Sequence, residues 1–216
     1  MSGTELLASA EDLALVERLR AGDEAAFMML VERHQGPMLR IARMYVSTQA
    51  VAEEVVQDAW VGILMGLERF EGRSSLRTWM YRIVANTAKT RGQREGRSLP
   101  FSSLAGDDDA GPPVESRWFR SADDPDHGAW TTLPDDWRGI PEDRLLAHET
   151  REVIGRTLER LPPMQAEVIR LRDVQGWTAE EVRAALDISE INQRVLLHRA
   201  RSKVRRSIDA YLKAAI

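Results

Sequence analysis

Two stretches of this 216-residue chain carry side chains whose types and spacing could do chemistry, and in both that chemistry is the binding of nucleic acid. Between Arg69 and Arg97 there are eight basic residues and two acidic ones, interleaved with Trp79, Tyr81 and Asn86. Arg82, Asn86 and Lys89 recur at i, i+4 and i+7, so a helix lines them up on one face. Cations hold phosphates, while planar and amide groups read exposed bases, a combination suited to single-stranded DNA. Trp79 is the exception, because an aromatic at its spacing is expected in a core more than on a base. The second stretch, Glu190 to Lys213, holds seven Lys and Arg against Glu190 and Asp209, with Arg194, His198 and Arg201 about one turn apart. A basic amphipathic helix alone is often only a solvated face. Here a helix and a turn precede it in the order of a helix-turn-helix, which lays its second helix in the major groove.

Catalytic and metal chemistry find no footing. The chain has no cysteine, and His34, His127, His148 and His198 are too scattered for a metal cluster. There is no G-x-x-x-x-G-K-[ST] phosphate loop, and no nucleophile and base converge. The expectation is a protein that is not an enzyme and needs no cofactor. The longest apolar run, Ala59 to Leu67, is far short of the ~20 residues that cross a bilayer, and the acidic, polar N-terminus is no signal peptide. These features predict a cytoplasmic protein without membrane insertion.

Helices must position the basic faces. Leu13, Val16 and Leu19 predict a short first helix stopped by Gly22. Asp23 can cap a second, running through Phe27, Leu30 and Val31 and past Gly36-Pro37 to Tyr45. Ser47 or Thr48 caps a third, with Val55, Val56, Ala59, Ile63 and Leu67 on its apolar side and Glu53, Glu54, Gln57 and Asp58 on the other. An acidic stripe by itself is ordinarily solvation. Ser74 or Ser75 starts the helix of Arg82, with Leu76, Met80, Ile83, Val84 and Thr87 facing inward. In the last third, Pro162 and Pro163 open a helix that Gly176 ends, and Thr178 with Glu181 has the spacing of a capping box. Asp187-Ile188-Ser189 is the turn, with Ser189 as N-cap of the basic helix.

The formal charge of −4 conceals a strongly acidic segment, residues 107–150, between two neutral-to-basic halves. Charges act within a Debye length of roughly 8 to 10 Å, so the local fields and not the bulk balance decide binding.

The blocks AEEVVQDAWVGIL, RFEGRSSLRTWMYRIVANTAK, LPPMQAEVIRLRDVQGWTAEEV and LLHRAR, in that order, closely resemble the extracytoplasmic-function (ECF) sigma factors of the bacterial sigma-70 family. The resemblance implies an all-α fold of two small helical domains. Residues 10–97 would be sigma region 2, and residues 141–210 region 4 with its helix-turn-helix. Residues 98–140 would be a long acidic, partly disordered linker. It implies that Glu54, Gln57, Asp58 and Trp60 dock on core RNA polymerase. It further implies that Arg77, Tyr81, Arg82, Asn86, Lys89 and Arg94 bind the melted non-template strand of the −10 promoter element. Gln193, Arg194, Val195, His198, Arg199 and Arg201 would bind the −35 element as duplex. Asp187 stands where the family usually has glycine in the turn, a left-handed position that aspartate tolerates. An anti-sigma factor is the further partner implied.

The linker is rich in Asp, Gly, Pro and Ser, a composition that favours disorder, and as a coil it spans roughly 35 to 40 Å. Trp118, Phe119, Trp130 and Trp137 are unexpected in a tether. Either the segment is a plain linker, or its aromatics dock while its acids mask the basic faces. A competing reading of the whole chain is a stand-alone helix-turn-helix regulator, but the N-terminal half offers no ligand pocket, phosphoacceptor or dimer helix.

Overall fold

The computed structural model describes residues 7–95 and 148–214, and every regular element among them is helical. In chain order these are α1 (Ala10–Arg20), α2 (Glu24–Arg43), α3 (Gln49–Gly66), α4 (Leu76–Arg94), α5 (His148–Arg160), α6 (Pro163–Ile169), α7 (Ala179–Leu186) and α8 (Glu190–Ala214). A 3-10 turn, Leu67–Arg69, follows α3, and a five-residue π turn, Arg170–Val174, follows α6. The acidic linker and its four aromatics lie outside the described residues, and with them the choice between tether and mask.

The described residues fall into two compact units. The first joins α1 to α4 with residues 170–190, which hold the π turn and α7; the second contains α5, α6 and α8 from Ile191 onward. No local sequence signal announces that residues 170–190 belong with the N-terminal helices.

Side chains that satisfy backbone amides fix the helix starts of the first unit. Ser9 and Asp12 form a reciprocal capping box on α1, Asp23 accepts from the Ala26 amide, Thr48 from Val51 and Ser75 from Thr78. Thr48 and Ser75 are thus the caps chosen from the two alternatives that each sequence stretch offered. Asp12 Oδ2 also accepts the Leu76 amide at 3.0 Å, tying the first turn of α4 to that of α1. Arg20 reaches the carbonyl oxygens of Leu67 at 2.7 Å and Phe70 at 3.1 Å, so one guanidinium satisfies acceptors that the 3-10 turn leaves open. Burial of Val16, Leu30, Ile41, Val55, Val56, Ile63, Met80 and Val84 closes the core.

The inward face of α4 is wider than the sequence predicts. Leu76, Met80 and Val84 are buried as expected and Ile83 and Thr87 partly so, but Thr78, Tyr81, Ala85 and Ala88 are buried too. The second stripe exists because α7 packs along α4, where alanines at 85, 88 and 185 let the backbones approach. The capping box on α7 forms as predicted, Thr178 Oγ1 accepting the Glu181 amide and Glu181 Oε2 accepting the Thr178 amide. Asp187 ends α7 at φ 51°, ψ 54°, the left-handed conformation expected of it.

In the second unit, Leu158, Leu161, Leu196, Leu197, Ala200 and Ile208 are buried, and the Tyr211 hydroxyl donates to the Glu149 carboxylate, joining the last turns of α8 to the start of α5.

Candidate nucleic-acid interface

On α4 the structure divides the six predicted strand-binding residues into two groups. Arg82, Asn86 and Arg94 are exposed. Arg77, Tyr81 and Lys89 are engaged by residues 170–190. Lys89 Nζ meets Asp187 Oδ2 at 2.6 Å and the Asp187 carbonyl oxygen at 2.9 Å. The hydrogen bond from Lys89, reinforced by its charge, holds the Asp187 carboxyl below the usual carboxylate range. The Arg77 guanidinium lies 3.9 Å over the Trp177 ring and reaches Glu181 Oε1 at 3.4 Å. Tyr81, predicted to face DNA, is only 1% exposed, its ring stacked on Trp177 with centroids 5.4 Å apart and planes 19° from parallel. Its hydroxyl shares a 3.0 Å hydrogen bond with His34 Nδ1. Trp79 is half-buried, tilted on Phe70 at 5.1 Å and set so close to Gly66 that a Cβ there would stand 2.9 Å from the ring.

Burial, and secondarily the charges of Arg33 and Arg77, push His34 down from its ordinary 6.5 to about 4. The fold therefore holds the neutral imidazole that Tyr81 needs as a partner, while the unfolded chain takes up a proton near 6.5. Stability from this residue is complete above about pH 6.5, declines as pH falls toward about 4, and levels off below. Urea midpoints measured from pH 7.5 to 4 are expected to fall more steeply for the parent chain than for His34→Gln. Asp23 and Asp187, both lowered from 3.8, lose their contributions at lower pH and do not mimic this step. Parallel profiles for the two chains would contradict the assignment.

On α3, Glu54, Gln57 and Asp58 are exposed, with Glu54 paired to Arg91 at 2.8 Å. Trp60, predicted to belong to the same surface, is 8% exposed; its Nε1 donates to Gln35 at 2.9 Å and its ring meets Phe27 edge-on at 5.6 Å. It fastens α3 to α2. The sequence reading missed that the exposed face runs on through Val61, Leu64 and Met65, the last 76% exposed. Their signal was the same 3.6-residue period, carried by apolar residues on the face already marked as polar.

On α8, Arg194 and Val195 are exposed, and His198 and Arg199, one turn further, are half-buried. Arg201 and Gln193, predicted to face DNA, are buried, and Gln193 Nε2 has no hydrogen-bond partner among the described residues. The helical period explains both: Gln193 leads into Leu196, Leu197 and Ala200, and Arg201 follows them. No group of His, Asp and Glu able to hold a metal occurs among the described residues, and no helix there is long and apolar enough to cross a membrane.

Residues 30–98 match the Sigma-70 region 2 family and residues 151–204 the Sigma-70, region 4 family. The ECF RNA polymerase sigma-E factor of Escherichia coli (strain K12) is 33% identical over 202 residues, covering 94% of this chain and 96% of that protein. That of Haemophilus influenzae (strain ATCC 51907 / DSM 11121 / KW20 / Rd) is 30% identical over 197 residues, covering 91% and 95%. The structure of CnrH in complex with the cytosolic domain of CnrY superposes with a TM-score of 0.47 at 22% identity, covering 92% of this chain and 97% of that one, a likeness too slight to build on. A stand-alone regulator does not account for a region 2 match in the N-terminal half, whereas a sigma factor requires it. The chain therefore belongs to the ECF RNA polymerase sigma factors of the sigma-70 family.

Proposed function

We propose that this sigma factor divides promoter recognition between its two basic helices, α4 holding the melted non-template strand of the −10 element and α8 reading the −35 element as duplex. The observation that carries the division is the outward placement of Arg82 and Asn86 on α4 and of Arg194 and Val195 on α8. An amide one turn from a guanidinium suits a base that has left the stack. A guanidinium on a helix face suits guanine or phosphate in the major groove. His198 and Arg199 extend the α8 face, and Arg94 extends that of α4. Glu54, Gln57 and Asp58 form the docking surface for core RNA polymerase, and Trp60 supports it from beneath. The chain contributes no covalent chemistry; it is a non-enzymatic, cytoplasmic subunit, and the family resemblance supports an anti-sigma factor as a further partner.

Run-off transcription with purified core polymerase tests the division. A good base contact is worth about 1–3 kcal/mol, so each alanine substitution is expected to cost about 5- to 150-fold in its own step. Asn86→Ala impairs strand opening, read by permanganate reactivity, more than closed-complex binding. Arg194→Ala weakens upstream binding and spares opening from a promoter already occupied. Equal opening defects for both variants would contradict the division.

A further inference from the structure

The stripe Arg77, Tyr81, Ala85 and Lys89 on α4 carries what a short single strand needs: a cation, an aromatic ring, a small-residue gap and a second cation, at i, i+4, i+8 and i+12. That stripe is already occupied by residues of the same chain whose chemistry parallels a nucleotide's. The Trp177 indole is a planar bicycle stacked on Tyr81, with the Arg77 guanidinium against its ring as a cation sits over a base. Two carboxylates that follow it in the sequence, Glu181 and Asp187, meet Arg77 and Lys89 at 3.4 and 2.6 Å, the cations that phosphates would otherwise engage. The Tyr81 ring is held in place by His34, and Tyr45, two residues beyond α2, donates to the Leu186 carbonyl oxygen at 3.2 Å, anchoring the far end of α7.

We infer that residues 170–190 act as an intramolecular stand-in for single-stranded DNA, Trp177 in the place of an unstacked base and Glu181 and Asp187 in the places of phosphates. The inference rests on the reading of α4 as the strand-binding helix. Occupancy is mutually exclusive, since neither Arg77 nor Lys89 can serve a phosphate while its carboxylate partner is seated, and no base reaches Tyr81 beneath Trp177. The free chain then binds single strands weakly through Arg82, Asn86 and Arg94 alone, and gains its full site when α7 leaves. The lock is shallow at its edge, where the Lys89–Asp187 pair is partly solvated, and strong at its centre, where both rings are buried.

The test uses the full chain and a fluorescein-labelled single strand of on the order of ten nucleotides, with its duplex as a control. Asp187→Asn keeps the left-handed turn, which asparagine tolerates, and removes the charge. It is expected to tighten single-strand binding about two- to fivefold, the range of a partly exposed ion pair, and to leave duplex binding unchanged. Trp177→Leu is expected to tighten it further. In hydrogen exchange, adding the strand to the parent chain raises exchange across residues 170–190 while it protects α4. Unaltered affinity in both variants, or a bound strand that leaves exchange at 170–190 untouched, overturns the inference. So does failure of every variant to bind the strand at low salt. Should Asn86→Ala abolish binding while residues 170–190 never respond, the strand-binding role of α4 stands and the stand-in falls.

Discussion

Alanine at Gly92 is expected to destabilise the protein by about 1–2 kcal/mol, although replacing a helical glycine by alanine ordinarily stabilises a helix by up to about 1 kcal/mol. The sign reverses because a Cβ at Gly92 would stand 2.4 Å from the backbone carbonyl oxygen of Tyr45. That oxygen belongs to backbone and cannot swing away as a long side chain can. Its residue is pinned besides, the Tyr45 amide donating to Ala42 at 3.0 Å and its buried hydroxyl to Leu186. The end of α2 must therefore shift away from α4, an overpacking cost of about 1–3 kcal/mol that exceeds the propensity gain. Gly155 in α5 is the matched control: a Cβ there meets nothing within 4 Å. Gly155→Ala is expected to gain about 0.5–1 kcal/mol. Urea midpoints of the two variants should move in opposite directions. Movement together would mean that the Gly92 contact relaxes without cost.

Placing positive charge on α3, with Gln57→Lys and Asp58→Lys together, is expected to weaken association with core RNA polymerase about tenfold or more, which corresponds to roughly 1.4 kcal/mol. Both side chains are exposed, so helical content and urea midpoint should be little changed. The loss should be greatest at low ionic strength, because exposed charges steer encounter over distances that salt screens. The same double variant should bind a short single strand as the parent does, since neither residue lies on α4. Undiminished association with the core enzyme across the salt range would remove this face from the docking surface. Met65→Ala offers a further comparison, testing whether the apolar continuation of the face contributes contact area that salt does not screen.

Helix starts were legible in the sequence because a cap is a local bargain between one side chain and an amide two or three residues on. Asp23, Thr48, Ser75 and Thr178 all declare themselves in that way. Ser9 and Asp12 form the same kind of cap on α1, a full turn before Leu13, where the apolar period of that helix begins. The left-handed Asp187 was legible for the same reason, as few other residues tolerate that conformation. Trp60 and Tyr81 show where such reasoning stops. Each sits in a motif associated with binding, yet each packs its ring on a partner far along the chain, Phe27 for one and Trp177 for the other.

What the sequence determined by itself was the helical class, the caps and the concentration of positive charge on two helices, all properties of residues within a turn or two of one another. Which of those charges face solvent was decided only by tertiary structure. Arg77 and Lys89 carry the same local signal as Arg82, but their partners Glu181 and Asp187 lie 104 and 98 positions away. A periodic pattern states which residues share a face; it does not state what that face will touch. That depends on how closely two backbones can approach, here through the buried alanines at 85, 88 and 185, and on which distant carboxylates the approach brings within reach.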